Sequence, residues 1–293
     1  MRLPTLIALL PLLAALAAQA ATVRLMFERD DDVASNELVF RSHASLDDLA
    51  NNVIAEPDRI SPINIAGRFS TTGLTWDGQQ FVLMFERDDD VASNELVFRT
   101  HASFDDLAGN VISGPDRISP INIAANFSTT GLTWDGQQYV LMFERDDDVA
   151  SNELIFRTYA SFDDLANNLP SAPDRISPIN IAANFSTRGL SWDGQQYVLM
   201  FERDDDVAIN ELVFRTYADF DDLAGNLPSA PDRISPINIA ANFSTTGLAF
   251  EWTADPPPQP VPAPASLALA VLALLAATAT PVARRVSRRR GRA

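Results

Sequence analysis

Apolar residues fall in short runs bounded by polar clusters, glycine or proline, and the same succession of runs returns every 58 residues. Met-Phe-Glu-Arg-Asp-Asp-Asp-Val-Ala begins at Met26, Met84, Met142 and Met200, and Phe-Ser-Thr-x-Gly-Leu begins at Phe69, Phe127, Phe185 and Phe243. A fixed period of this length is the signature of a solenoid, a propeller or an array. Within one copy the pattern predicts four strands. Gly131–Trp134 is the first. Asp135-Gly136 follows as a hairpin signal, because both central positions of a type I′ turn need positive φ. The second strand is Tyr139–Glu144 and the third Glu153–Tyr159. Ser161–Leu165 reads as a single helical turn with Ser161 as N-cap. A loop holding Pro170, Pro173 and Pro178 leads to the fourth strand, roughly Ile179–Phe185.

The second strand is apolar at consecutive rather than alternate positions, which implies burial on both faces. Four antiparallel strands covered on both sides suit a propeller blade sandwiched between its neighbours. The way the repeat is cut predicts how the blades are joined. After the first apolar run the chain enters the repeat at its second strand, so the first copy lacks a first strand. After the fourth copy it continues through Ser244–Phe250, a surplus first strand. Residues 22–253 span four whole periods. The expectation is an all-β fold, a four-bladed β-propeller closed by pairing of its N- and C-terminal strands. An open linear stack of repeats is the alternative.

Both ends of the chain depart from this pattern. Arg2 precedes the apolar run Leu6–Ala18, and Ala18-Gln19-Ala20 is a small-x-small cleavage site, so residues 1–21 read as a secretory signal peptide. Residues 254–260, with Pro256, Pro257, Pro258 and Pro260, favour extended polyproline II and read as a stiff spacer. An uncharged Ala/Leu-rich stretch then gives a weak transmembrane helix over 265–282, followed by Arg284, Arg285, Arg288, Arg289, Arg290 and Arg292. Positive charge is retained on the cytoplasmic side, which places the repeats outside. The chain has no cysteine, so export brings no disulfide framework and stability must come from packing.

Residues 261–293 resemble the PEP-CTERM sorting signal of Gram-negative bacteria, in which Val-Pro-Glu-Pro precedes a short transmembrane helix and an arginine-rich end. The motif is carried by Val261, Pro262, Ala263 and Pro264, with Ala263 where the family usually has glutamate, and Ala265, Ser266 and Leu267 continue it. The resemblance implies an exosortase-like processing enzyme as partner. It also implies a place at the cell envelope or surface, anchored in the membrane before processing, and an association with extracellular polysaccharide. It says nothing of what the repeats do. Ser128–Trp134 is loosely similar to the Ser-x-Asp-x-Gly-x-Thr-Trp box of sialidase-type propellers, but it is one residue shorter and has threonine in place of the aspartate.

Charge narrows the partners. Lysine is absent, and 15 arginines face 39 acidic residues outside Arg2 and the tail, a net of −24. Such a surface repels nucleic acid and anionic lipid and favours cations. The densest acid lies between the second and third strands. There Asp30, Asp32, Asp88, Asp90, Asp146, Asp148, Asp204 and Asp206, with Glu37, Glu95, Glu153 and Glu211 nearby, offer hard oxygens of the kind calcium takes. The run lacks the glycine of an Asp-x-Asp-x-Asp-Gly loop, and a solvated hairpin tip paired with its adjacent arginine is the other reading. His43, His101, Tyr159 and Tyr217 share one repeat position that varies between copies, which suits a ligand-binding rim. Trp76, Trp134 and Trp192 beside the Asp-Gly turn suit either blade packing or a sugar platform. The two arginine series, Arg41, Arg99, Arg157, Arg215 and Arg59, Arg117, Arg175, Arg233, are expected to pair with aspartate.

Near-identical blades offer equivalent sites, and multivalency raises avidity without new contacts. This pattern suits a non-catalytic binding or matrix module. A sialidase-like glycan hydrolase or a purely structural surface protein are the alternatives. Glycoside hydrolysis usually needs two carboxylates in unlike environments, and the few acids private to one copy, Glu56 and Asp219, fall in expected loops.

Overall fold

The computed structural model describes residues 21–29, 36–65, 69–87, 94–123, 127–145, 152–181, 185–204, 210–239 and 243–252. The expected signal peptide up to residue 20, the spacer, the sorting motif at Val261–Pro264 and the helix over 265–282 lie outside the described residues. Among the described residues no helix is long and apolar enough to cross a membrane.

The chain runs β1 (Thr22–Arg29), β2 (Asn36–His43), α1 (Leu46–Ala50), β3 (Glu56–Ile65), then β4 (Phe69–Trp76), β5 (Phe81–Arg87), β6 (Asn94–His101), α2 (Phe104–Ala108) and β7 (Arg117–Ile123). The third unit is β8 (Phe127–Trp134), β9 (Tyr139–Arg145), β10 (Asn152–Tyr159), α3 (Phe162–Ala166) and β11 (Arg175–Ile181). The fourth is β12 (Phe185–Trp192), β13 (Tyr197–Asp204), β14 (Asn210–Tyr217), α4 (Phe220–Gly225) and β15 (Arg233–Ile239), and β16 (Phe243–Glu251) follows. Each unit from β4 onward makes one antiparallel four-stranded sheet in sequence order, whereas the first blade is ordered β16-β1-β2-β3. β1 pairs with β16 from Thr22↔Glu251 to Arg29↔Phe243. The fold is therefore all-β, a four-bladed propeller whose first blade is completed by the last strand.

Hydrophobic layers lie between the blades. In β5, Phe81, Leu83 and Phe85 enter the layer shared with the first blade, while Val82 and Met84 enter the one shared with the third. Alternate side chains thus serve different layers, which is why consecutive positions are apolar. The ring is tight at its centre. A Cβ on Gly73 would lie 3.2 Å from the backbone nitrogen of Leu132, on Gly131 2.9 Å from that of Leu190, on Gly189 3.3 Å from that of Leu248, and on Gly247 3.2 Å from that of Leu74. These contacts pass from blade to blade and return to the first, so glycine here permits the approach of four inner strands.

Several expectations are corrected. The outer strand starts at Arg175, not Ile179, with Pro178 inside it. Proline is tolerated because this is the unpaired edge and because the register shifts there, Glu153 facing Asn180 and Leu154 facing Ser177. The inner strand starts at Phe127, not Gly131. The turn is not a two-residue type I′: Trp134 pairs with Tyr139, leaving a four-residue loop in which Gly136 alone has positive φ, +92°. Asp135 braces it by accepting hydrogen bonds from the backbone of Gln137 and Gln138, each at 2.8 Å. Ser161 does cap α3, accepting from Asp164 N at 3.1 Å. Glu56 opens β3 and Asp219 caps α4, so neither lies in a plain loop.

Candidate functional site

The turns between first and second strands and the helical turns share one end of the propeller, and there the third and fourth blades leave a cleft. Between the third and fourth blades the cleft has a volume of about 360 Å³. One wall is the braced turn of the third blade, with Asp135, Gln137 and Gln138. The floor is Tyr197, 1% exposed, whose hydroxyl donates across the blade junction to Asp135 Oδ2. Trp192 stands against it with ring centroids 4.9 Å apart, and Phe220 lies 6.3 Å away. The far wall is the start of α4. Asp219 accepts from Asp222 N at 2.9 Å, and Asp221 pairs with Arg175 of the third blade.

The preceding junction repeats this plan. Tyr139 donates to Asp77 Oδ2 at 2.9 Å, Trp134 and Phe162 flank it at 4.7 and 6.1 Å, and Asp163 pairs with Arg117. The junction of the first and second blades keeps the rings Trp76, Phe81 and Phe104 but has no tyrosine hydroxyl. Burial, reinforced by the aspartate charge, pushes the Tyr139 and Tyr197 hydroxyls far above the ordinary tyrosine range. They therefore stay protonated and donate across the blade junctions.

The axis is stopped at this end. A Cβ on Gly78, Gly136 or Gly194 would lie 3.9, 3.7 or 3.5 Å from Trp252, so this one ring meets the turns of the other three blades. Trp76 Nε1 donates to the Trp252 carbonyl at 2.8 Å.

The rim placement expected for His43, His101, Tyr159 and Tyr217 is overturned, since all four are 0% exposed. They sit between the third strand and the loop after the helical turn. Nδ1 of His43 and of His101 lies 2.8 Å from the carbonyls of Val53 and Val111. The Tyr159 and Tyr217 hydroxyls donate to Asn168 and Asn226 at 3.1 Å. Desolvation lowers the pKa of both histidines and pushes those of the two tyrosines up to about 12. One buried slot thus takes either side chain, tyrosine bonding to the asparagine after the helical turn and histidine to a backbone carbonyl of the loop.

Of the acidic run, Asp30, Asp32, Asp88, Asp90, Asp146, Asp148 and Asp206, and the side chain of Asp204, lie outside the described residues. The flanking Glu37, Glu95, Glu153 and Glu211 each pair across the hairpin with Arg29, Arg87, Arg145 and Arg203. Among the described residues no group of three or more His, Cys, Asp or Glu is placed to hold a metal ion. The arginines pair with aspartate as expected. Arg157 grips Asp174 with two bonds of 2.8 and 2.6 Å, and Arg41, Arg99 and Arg215 do the same with Asp58, Asp116 and Asp232. The second series straps each blade to the next: Arg59 to Asp105, Arg117 to Asp163, Arg175 to Asp221 and Arg233 to Asp47.

Sequence reasoning missed the cleft, because Tyr139 and Tyr197 open a strand that reads as core throughout. The available signal is that these positions carry a hydroxyl where Phe81 and Val23 carry none. No family model matches the chain, and searches of curated proteins and of solved structures return no significant match.

Proposed function

We propose that this is an exported repeat protein of the cell surface, anchored or processed by an exosortase-like enzyme through its tail. Its propeller would serve as a non-catalytic binding or matrix module for extracellular polysaccharide. The observation that carries the binding role is the cleft lined by tryptophan, tyrosine, phenylalanine, glutamine and aspartate between the third and fourth blades, whose tyrosine–aspartate strut and flanking rings recur at the preceding junction. Aromatic faces with a few fixed polar groups suit sugar rings. A like site at the preceding junction would let one polymer engage the ring twice, with an avidity neither site has alone. The location rests on the resemblance of residues 261–293.

The test is co-sedimentation of the purified propeller with exopolysaccharide from the producing cells, with and without chelator, alongside an assay for new reducing ends. Saturable binding without products supports the module, and loss of binding in chelator places calcium in the acidic loops. New reducing ends replace the proposal with a hydrolase, and no binding in either condition leaves a structural role.

A further inference from the structure

We propose that the cleft between the third and fourth blades takes an organic ammonium group, carried on a scaffold about the size of a sugar ring. This rests on the glycan-binding reading and names the chemistry the cleft selects. Three carboxylates line the cleft, Asp135, Asp219 and Asp221, and no cationic side chain does. Arg175 donates to Oδ1 of Asp221 and lies over the Phe220 ring at 5.5 Å, so Asp135 and Asp219 are the carboxylates left for a ligand cation. A neutral sugar returns hydrogen bonds to these carboxylates through its hydroxyls but no charge, so a cation offsets their desolvation more fully. A metal ion is a poor fit, since no three of these groups are placed to share one. An ammonium ion suits both halves of the lining. It donates to carboxylates in charge-assisted hydrogen bonds, and the partly exposed Trp192 presents an aromatic ring that attracts a cation. The volume of about 360 Å³ leaves room for the group together with a small ring.

One residue separates this cleft from the preceding junction. The cap position is Ser45, Ser103 and Ser161 in the first three helical turns and Asp219 in the fourth. A helix cap does not require the change, because serine caps the other three turns with the same bond to the third residue on. What aspartate adds is a negative charge at the cleft wall. The preceding junction has the same tyrosine, tryptophan and phenylalanine, with Ser161 in place of that charge.

The experiment is titration calorimetry on the full chain in detergent, at a pH where the amine is protonated. The probes are the glucosamine trimer, the N-acetylglucosamine trimer and choline. The expected result is saturable high-affinity binding of the glucosamine trimer at one site, with any second site no tighter than that of the Asp219→Ser variant, and none of the acetylated trimer. Binding should weaken about tenfold in Asp219→Ser, the loss of one charge-assisted hydrogen bond, and disappear in Trp192→Ala. Ser161→Asp should raise the stoichiometry to two. Both exchanges at the cap use residues the chain already carries there, and thermal melts of each variant confirm folding. Choline binding as tightly would keep the ammonium site with a quaternary amine as its source. Equal binding of both trimers, indifferent to Asp219→Ser, would overturn the ammonium assignment and leave glycan binding standing. Failure of every probe while exopolysaccharide still co-sediments would also overturn it alone. Failure of both experiments would remove the glycan reading with it.

Discussion

The slot shared by His43, His101, Tyr159 and Tyr217 shows how one buried position can be satisfied in two ways. Tyrosine reaches the left-handed asparagine that ends each helical turn, at φ 54°, and donates to it. Histidine stops short: among the described residues, Nε2 of His43 and of His101 has no hydrogen-bond partner, nor has Oδ1 of Asn52. His43→Tyr should supply the missing donor and stabilise the fold by about 0.5–1.5 kcal/mol, the net worth of one hydrogen bond; thermal or urea melts would read it. The same histidines set a pH dependence. Desolvation and the nearby Arg41 or Arg99 lower their pKa, against the Val53 or Val111 carbonyl and the carboxylates Asp48, Asp58 and Asp106. The unfolded chain then binds more protons than the folded one below about pH 6.5, so stability is full above that value and falls as pH drops through it. Replacing both histidines by tyrosine should flatten the urea midpoint between neutral pH and pH 5, and an unchanged slope would refute the assignment. At the centre, Gly131→Ala places a Cβ 2.9 Å from the Leu190 backbone and should cost about 1–3 kcal/mol as the inner strands are forced apart.

The strands were legible as elements because each blade face has its own period and its own punctuation. What escaped the pattern is how punctuation behaves at an edge. Pro178 reads as a loop residue, yet Pro62, Pro120, Pro178 and Pro236 all lie inside outer strands, exposed and at register shifts. Such residues keep an open strand from pairing with another molecule. Ile60, Ile118, Ile176 and Ile234 are 52–55% exposed on the same strands, so the protection has something to guard. Replacing the four prolines by valine should leave the blades folded and produce concentration-dependent association in light scattering; a monomer at every concentration would show that the edge is blunted by other means. The turn departs from the dipeptide signal for a related reason. Asp-Gly satisfies the signal for a tight hairpin, but the aspartate side chain caps two backbone N–H groups of a longer loop and so stabilises an alternative the dipeptide alone does not distinguish. The cleft was not legible at all, because it arises only when Asp135 of one blade meets Tyr197 of the next, 62 residues away.

Closure is a property of the whole ring, and the chain marks the blade where it happens. Val82, Val140 and Val198 occupy one position of the second strand, but the first blade has Arg24 there, 8% exposed. Its guanidinium donates to Glu251 on the last strand at 3.1 Å, lies 3.9 Å from Glu56 and covers the Phe104 ring at 3.7 Å. First and last strands are thus joined by a charge pair as well as by a ladder. Breaking one side of a largely buried pair leaves a charge uncompensated, whereas replacing it with an apolar residue of the right shape need not be costly. Glu251→Ala should therefore lower stability by about 1–2 kcal/mol after allowance for its partial exposure, and Arg24→Val should come closer to neutral. The stronger test concerns the ladder. Because Thr22 faces Glu251, a short linker can join the two ends, and a circular permutant opened between β3 and β4 keeps every sheet as a continuous chain segment. That permutant should melt cooperatively near the parent. Deleting residues 243–252 instead removes the inner strand of one blade and the Trp252 contacts with three turns, and should abolish the cooperative transition. A deletion variant that melts like the parent would mean that the three complete blades hold the fold and that closure contributes nothing to it.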